Sequence, residues 1–452
     1  MKIHFIAIGG SVMHCLAIAM QKKGYIVTGS DDEIFEPSRS RLEKENLLPA
    51  KWGWFPEKIA NDLDAVILGM HAREDNPELL KAKELGLKIY SFPEYLYEQT
   101  KNKIRVVIGG SHGKTTITSM IIHVLSQAGK NPDFMVGAQL EGFENMVHLS
   151  EDSNIAVFEG DEYLTSAIDK RPKFHIYKPN IAVISGIAWD HINVFSTFDI
   201  YVEQFKEFIN KIEPNGKLIY CADDALVSGI SFIADKSIER IPYHTHKYTV
   251  IDDEVYLINN NKKYKVQIFG KHNMQNISAA KAVCNCLGIN DDVFYSSIAS
   301  FKGAAKRLQL IYSKDYTNIY IDFAHAPSKL RASLKAVKEH FPDRKLVACF
   351  ELHTFSSLTE DFLKEYYGSM EKADIAFVYY NPKVIESKGM KPITPELVYK
   401  SFGSKHLIVH TDSKELINSL KSIEWKGTNL LMMSSGNFDG IDMNQLANEI
   451  IS

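Results

Sequence analysis

Apolar residues in this chain fall into short continuous runs separated by stretches with helical spacing, the alternation that builds parallel sheets covered by helices. Residues 3–8 read as a first strand, Gly9-Gly10 as its turn, and 13–23 as a helix closed by Gly24. A strand at 25–28, ending in Gly29-Ser30-Asp31, completes a βαβ unit. Strands at 65–68 and 88–90, with a helix at 77–85 between them, extend it to a small α/β domain over residues 1–102. A second block, 103–302, opens with a buried-strand run at 104–108. It continues through strands at 154–158 and 181–185, a hairpin around Asn259-Asn-Asn-Lys262 and a small-residue helix at 277–287. A third block, 303–452, places strands at 319–323, 346–350, 375–378, 407–410 and 430–433, with helices at 329–340 and 359–370 between them. The expected class is α/β with three domains, Rossmann-like at both ends and of the P-loop ATPase type in the middle.

Composition narrows the function. A length of 452 residues exceeds one ordinary core, which agrees with several domains. A net charge of −4 with no dense basic block argues against nucleic acid as a partner. No apolar run approaches the length of a membrane span and no signal-peptide pattern precedes the first strand, so the expected compartment is the cytoplasm. Five scattered cysteines fit reduced thiols, and Cys284-Asn-Cys286, with no second pair nearby, reads as helix packing rather than a metal site.

The densest chemistry lies in Gly110-Ser111-His112-Gly113-Lys114-Thr115-Thr116. Strand, glycine turn and helix start make a phosphate cradle, in which backbone N–H groups face a polyphosphate, Lys114 reaches its outer phosphates and the Thr115 hydroxyl takes magnesium. The frame is one residue shorter than the general phosphate loop, with Ile108 where a glycine is usual. The next two strands end in Glu159-Gly-Asp-Glu162 and in Asp190-His191, so a lysine, a carboxylate and a histidine are expected at one crevice. The first βαβ unit is a poor dinucleotide fingerprint, because Ala7 and His14 stand where glycines belong.

These motifs, with Gly270-Lys-His272-Asn273-Met-Gln-Asn276, Gly303-Ala304 with Arg307, and Asp322-Phe-Ala-His325, resemble the Mur ligases over essentially the whole chain. The resemblance implies ATP and one or two magnesium ions. ATP would contact Gly110 to Thr116, His272, Asn273, Asn276, Arg307, Asp322 and His325. Magnesium would sit on Thr115, Glu159 and His191, and Lys114, His191 and Arg307 would be catalytic. The first domain would bind UDP through Gly9, Gly10, Ser11, Met13, Ser30, Asp31 and His71. Ile8-Gly9-Gly10 and Gly29-Ser30-Asp31 are similar to the branch that takes UDP-N-acetylmuramate. Asp169-Lys170-Arg171-Pro-Lys173-Phe174, Glu351 and Phe438-Asp-Gly-Ile441 are similar to members that add the tripeptide L-Ala-γ-D-Glu-meso-diaminopimelate in peptidoglycan recycling. The tripeptide is therefore the expected acceptor, with Arg171, Lys173 or Lys388 as candidate cations for its negative charges, and L-alanine the alternative.

The chain departs from the family pattern at Gly186 and Ala188, which replace an amide and a carboxylate beside the second metal, and at Leu164. Phe205 stands near the place of the carbamylated lysine of other branches, as in the muramic-acid branch. Two rivals remain: a phosphate-loop kinase or NTPase without an amine acceptor, and a UDP-sugar sensor that has lost its chemistry.

Overall fold

The computed structural model describes residues 1–138, 145–189 and 194–451. Lys2–Ile6, Ile26–Ser30, Ala65–Leu68 and Ile89–Ser91 make an all-parallel sheet with Lys2–Ile6 and Ala65–Leu68 in its middle. The largest sheet has seven strands, in the order Glu239–Tyr243, Lys217–Cys221, Ile181–Ile184, Ile104–Gly109, Ile155–Glu159, Asp133–Met135 and Val147–His148. Only the last runs antiparallel to its neighbour. Val106, Val107 and Ile108 are completely buried, as are Val157 and Phe158 beside them, which is why the sequence shows unbroken apolar runs there. Strand order reverses around Ile104–Gly109, so the loops leaving it and both neighbours open along one edge.

Arg105 fixes that central strand. Its side chain is buried inside the sheet, and the guanidinium donates to the carbonyls of Thr100 (3.2 Å), Lys101 (2.7 Å), Lys103 (3.1 Å) and Tyr177 (2.9 Å) and pairs with Glu213 at 3.3 Å. One planar cation thus ties the polar exit of the first domain to the strand that carries the glycine loop.

The C-terminal sheet runs Gln309–Lys314, Thr317–Asp322, Thr428–Met433, Lys345–Glu351, Ile375–Tyr379 and Leu407–His410, with only the first strand antiparallel to its neighbour. All five expected strands are present, and Gln309–Lys314 is an added edge. Two expectations need correction. The hairpin around Asn259 is a three-stranded meander, Tyr248–Ile251, Glu254–Asn259 and Lys262–Val266, because Asp252-Asp253 makes a second tight turn with both residues at positive φ. The helix expected over 359–370 breaks into the short turns Ser356–Leu358, Glu360–Leu363 and Lys364–Tyr366. Tertiary packing overrides helical spacing there: buried Tyr366 stacks on Phe402 at 5.0 Å and donates its hydroxyl to the His325 carbonyl.

By packing, the described chain divides into two units. One comprises Met1–Trp189, Val194–His244 and Ile277–Ile298, with the first and second sheets. The other comprises Thr245–Asn276 and the chain from Ala299 onward, with the meander and the C-terminal sheet. Among the described residues no helix is long and apolar enough to cross a membrane.

Lysine cannot reproduce the fan of bonds made by Arg105, so Arg105→Lys is expected to lower unfolding free energy by about 2–4 kcal/mol, from several buried carbonyls losing donors. Urea titration of the two proteins measures it, and a change below about 0.5 kcal/mol would contradict the role given to the guanidinium.

Candidate functional site

The loop after the central strand is built by backbone freedom. Gly110 sits at φ +132°, and a Cβ there would lie 2.9 Å from the Ser185 nitrogen; Gly113, at φ +77°, caps the helix Lys114–Gln127. No side chain fills the N-terminal end of that helix, so its first N–H groups face the loop. Ser111 N–H donates to the Gly186 carbonyl at 2.9 Å, and the Ser185 hydroxyl donates to the His112 carbonyl. The turn after Ile181–Ile184 thereby holds the cradle in shape. Thr116 is buried behind it.

Lys114 donates from Nζ to the Gly110 carbonyl at 2.8 Å and to Glu162 Oε2 at 2.6 Å. Glu162 is fully buried. Burial by itself would lower the Lys114 pKa, but the carboxylates of Glu162, Asp161 and Glu159 outweigh it and hold the ammonium above its ordinary value. Beside it, the Thr115 hydroxyl donates to Glu159 Oε1 at 3.0 Å, while Glu159 Oε2 accepts from Gly137 N–H at 2.7 Å. A hydroxyl and a carboxylate side by side are the hard oxygen donors that magnesium takes, with phosphate oxygens and water completing its shell. These two residues fit that ion. Asp190 and His191, expected as further metal residues, lie outside the described residues. Phe205 packs edge-on against Phe174 in an aromatic cluster.

In the first sheet the glycine turn is shaped by Asp31. Its Oδ2 accepts from Gly9 N–H at 2.7 Å, and a Cβ on Gly9 would meet Ile34 at 2.7 Å and Asp31 Oδ2 at 2.9 Å. Burial pushes the Asp31 pKa up to about 6. Ala7 adopts the φ of +64° that the missing glycine would have supplied, and the His14 ring lies 2.9 Å from the Gly10 carbonyl. Gly10 precedes the helix Ser11–Lys22, with Ser11 exposed at its first position and His71 also exposed. Met13 is buried in the core, and buried Ser30 accepts from Lys58 Nζ at 3.0 Å, so these two shape the turn from behind.

The second unit gathers the remaining candidates in two clusters. His272 lies in the first turn of the helix Lys271–Cys286, and burial brings its pKa down to about 4, leaving a neutral imidazole. The Asn273 amide donates to the Phe269 carbonyl at 2.9 Å, and Asn276 donates to Asn273 Oδ1 at 3.3 Å. In the other cluster, Asp322 accepts from Leu308 N–H at 2.6 Å and Ala324 N–H at 2.7 Å; burial raises its pKa against the pull of Arg307. Arg307 lies over the Phe323 ring at 4.8 Å, and His325 Nδ1 is 3.0 Å from the Phe323 carbonyl. A cavity of about 720 Å³ is lined by both Asn273 and Arg307, with Lys302, Tyr320 and Arg344.

Three proposed peptide-binding cations are already engaged. Arg171 pairs with Asp169 at 2.6 Å, Lys173 with Asp161 at 2.6 Å, and Lys388 donates to the His353 carbonyl at 2.7 Å. Sequence reasoning placed Glu162 in an acidic turn but not as the partner of Lys114, and it missed Lys58, Ser185 and Tyr201. Nothing in the local spacing marks those three.

The Mur ligase family catalytic domain matches residues 2–104, the Mur ligase middle domain 108–284, and the Mur ligase glutamate ligase domain 306–436. UDP-N-acetylmuramate–L-alanine ligases of Sulfurihydrogenibium sp. (strain YO3AOP1) and Caldicellulosiruptor bescii are 31% and 33% identical. These alignments cover 96% and 88% of this chain and 95% and 87% of those proteins. Among solved structures, a murein peptide ligase from Psychrobacter arcticus (23% identity, TM-score 0.68) and a UDP-N-acetylmuramate–alanine ligase from Thermotoga maritima (21%, 0.70) each cover 100% of this chain and 98% of their own, and show the fold. A UDP-N-acetylmuramate:L-alanyl-γ-D-glutamyl-meso-diaminopimelate ligase from Neisseria is 26% identical with TM-score 0.59, over 67% of this chain and 98% of its own.

Two predictions arise from this geometry. Lys114→Met is expected to lower turnover by on the order of a thousandfold. It should also cost about 3 kcal/mol of stability by stranding buried Glu162, and adding Glu162→Gln should restore most of that loss without restoring turnover. Denaturant titration alongside a turnover assay separates the two effects. For Asp31, the charged form is the better acceptor for a sugar hydroxyl and predominates only above about pH 6. Affinity for a UDP-sugar, measured by calorimetry, should therefore strengthen as pH rises through 6, and the inflection should vanish in Asp31→Asn.

Proposed function

The chain belongs to the Mur ligase family and is an ATP-dependent acid–amino acid ligase, and we propose that it joins the lactyl carboxylate of UDP-N-acetylmuramate to the amine of an L-alanyl acceptor. The observation that carries this reading is the crevice in which Lys114 and Thr115, from the loop after one strand, meet Glu159 and Glu162, from the end of its neighbour, within a chain alike over 96% of its length to a ligase named for that substrate. A carboxylate does not condense with an amine unaided, because its oxygen is a poor leaving group. In the proposed reaction the lactyl oxygen attacks the γ-phosphorus of ATP and releases ADP. The amine then attacks the acyl carbon and displaces inorganic phosphate. Lys114 would neutralise charge on the outer phosphates, and magnesium on Thr115 and Glu159 would polarise them from the other side.

Residues 1–102 would hold the UDP-sugar through the Gly9-Gly10 turn and Asp31, 103–302 would hold ATP, and 303–452 would bring the acceptor. Asn273 and Arg307, lining one cavity large enough for a nucleoside, support an ATP contact there. ATP and UDP-sugar together imply the cytoplasm.

For the acceptor we adopt L-alanine, which the curated relatives' names support. The tripeptide expected from sequence is the second reading, and one observation favours it. Residues 163–173 make a closed excursion, pinned where Leu164 bridges Pro172 and Thr165 N–H donates to the Arg171 carbonyl at 2.9 Å. That is the segment similar to tripeptide-adding members, and the Neisseria ligase is named for that tripeptide. Against it, Arg171 and Lys173 carry carboxylate partners that an anionic peptide would have to displace.

Phosphate release from ATP with UDP-N-acetylmuramate, with L-alanine and the tripeptide compared as acceptors, tests both readings. Release and amide product with L-alanine are expected. Product with the tripeptide alone would move the assignment to recycling, and release indifferent to any acceptor would favour an NTPase.

A further inference from the structure

Tyr201 lies in the helix Phe198–Asn210, is completely buried, and belongs to none of the motifs that identify the site. Its ring is held by Phe205, edge-on at 5.3 Å, and by Phe195 at 5.4 Å, which fixes where the hydroxyl points. That hydroxyl lies 3.0 Å from Glu162 Oε1 and 2.9 Å from Ser111 Oγ, and Ser111 Oγ accepts from Ala188 N–H at 2.9 Å. The donor order follows from chemistry. A backbone N–H can only donate, and a carboxylate paired with an ammonium can only accept. Ala188 therefore donates to Ser111, Ser111 to Tyr201, and Tyr201 to Glu162, whose other oxygen receives Lys114.

We infer that Tyr201 is a positioning residue for phosphoryl transfer: its hydroxyl sets the Glu162 carboxylate, and through it the Lys114 ammonium, while tying the glycine loop and the Gly186–Ala188 turn to the same point. Two features make the connection specific rather than a matter of filling the core. A phenylalanine would fill the same space among Phe195 and Phe205, so packing does not require the oxygen. The hydroxyl also contacts both the loop that cradles phosphate and the carboxylate that holds the lysine. Chains of this kind act as units in a low-dielectric interior, so losing one member is felt at the far end.

The inference rests on the ligase reading, and the test separates the two. In Tyr201→Phe, turnover is expected to fall about tenfold with KM for UDP-N-acetylmuramate within about twofold and the melting temperature within a few degrees. In a Glu162→Gln background the same substitution should cost less than about twofold, because its effect passes through Glu162. A second readout needs no acceptor: the preference for ATP over ADP in equilibrium binding, which reports contact with the outermost phosphate, should fall about threefold or more in Tyr201→Phe. If the parent releases no phosphate with either acceptor, the ligase reading fails while the binding ratio still decides the role of Tyr201. The inference is overturned by a Tyr201→Phe protein whose ATP preference and turnover match the parent, or whose loss is the same with Glu162→Gln. Should Tyr201→Phe fold poorly, Ser111→Ala cuts the chain one bond earlier and is judged on the same ratio.

Discussion

A lysine ammonium and a carboxylate, 2.6 Å apart and nearly sealed from water, set the terms for the rest of the central sheet. Such a pair is not itself a strong source of stability, since desolvating both charges offsets most of their attraction. Its worth is directional. Lys114 must stay charged at the mouth of a loop whose other attractions for phosphate are backbone dipoles, and Glu162, Asp161 and Glu159 outweigh burial to keep it so. The cluster can exist only where neighbouring strand ends meet, because the lysine and the glycines leave one strand, the three carboxylates leave the next, and the turn after a third holds the loop. The sheet provides that meeting: Ile155–Glu159 and Ile181–Ile184 flank Ile104–Gly109, and all three run parallel. Arg105 anchors the other end of the same strand.

That part of the fold was legible because buried parallel strands and glycine turns leave strong local signatures. The apolar runs, Gly110, Gly113 and the acidic turn at 159–162 all have fixed chemical reasons to be where they are. What was missed has non-local causes. Asp133–Met135 and Val147–His148 are too short to show a period, and their pairing depends on neighbours far along the chain. Lys58 reaches Ser30 across 28 residues, and Tyr201 reaches Ser111 across 90. A tyrosine on an amphipathic helix reads as core, which it is; only three-dimensional placement shows that its oxygen has work beyond packing.

Main-chain groups shape both the turn of the first sheet and the turn beside the phosphate loop. Ala7, which stands where a dinucleotide fingerprint has glycine, adopts the left-handed backbone itself, at some strain, so the turn forms without a glycine there. Gly186 and Ala188 contribute their backbone: the Gly186 carbonyl accepts from Ser111 N–H, and the Ala188 N–H donates to Ser111 Oγ. Both main-chain groups are thus directed at the phosphate loop.

The acceptor remains the least legible feature, for a physical reason. Free L-alanine and the tripeptide offer the same nucleophile, an L-alanyl amine, to the same acyl carbon, so the reacting centre cannot distinguish them. Selection must come from whatever meets the rest of the acceptor, which for a tripeptide means extra anionic groups and for the amino acid means a single carboxylate. The cations first considered for that task, Arg171, Lys173 and Lys388, are each held by a carboxylate or carbonyl of the chain itself. A paired cation attracts a further anion weakly unless its partner is displaced, and displacement must be offset by the new contact. The basic character of the 169–173 segment therefore argues less for a long acceptor in the folded protein than it does in the sequence.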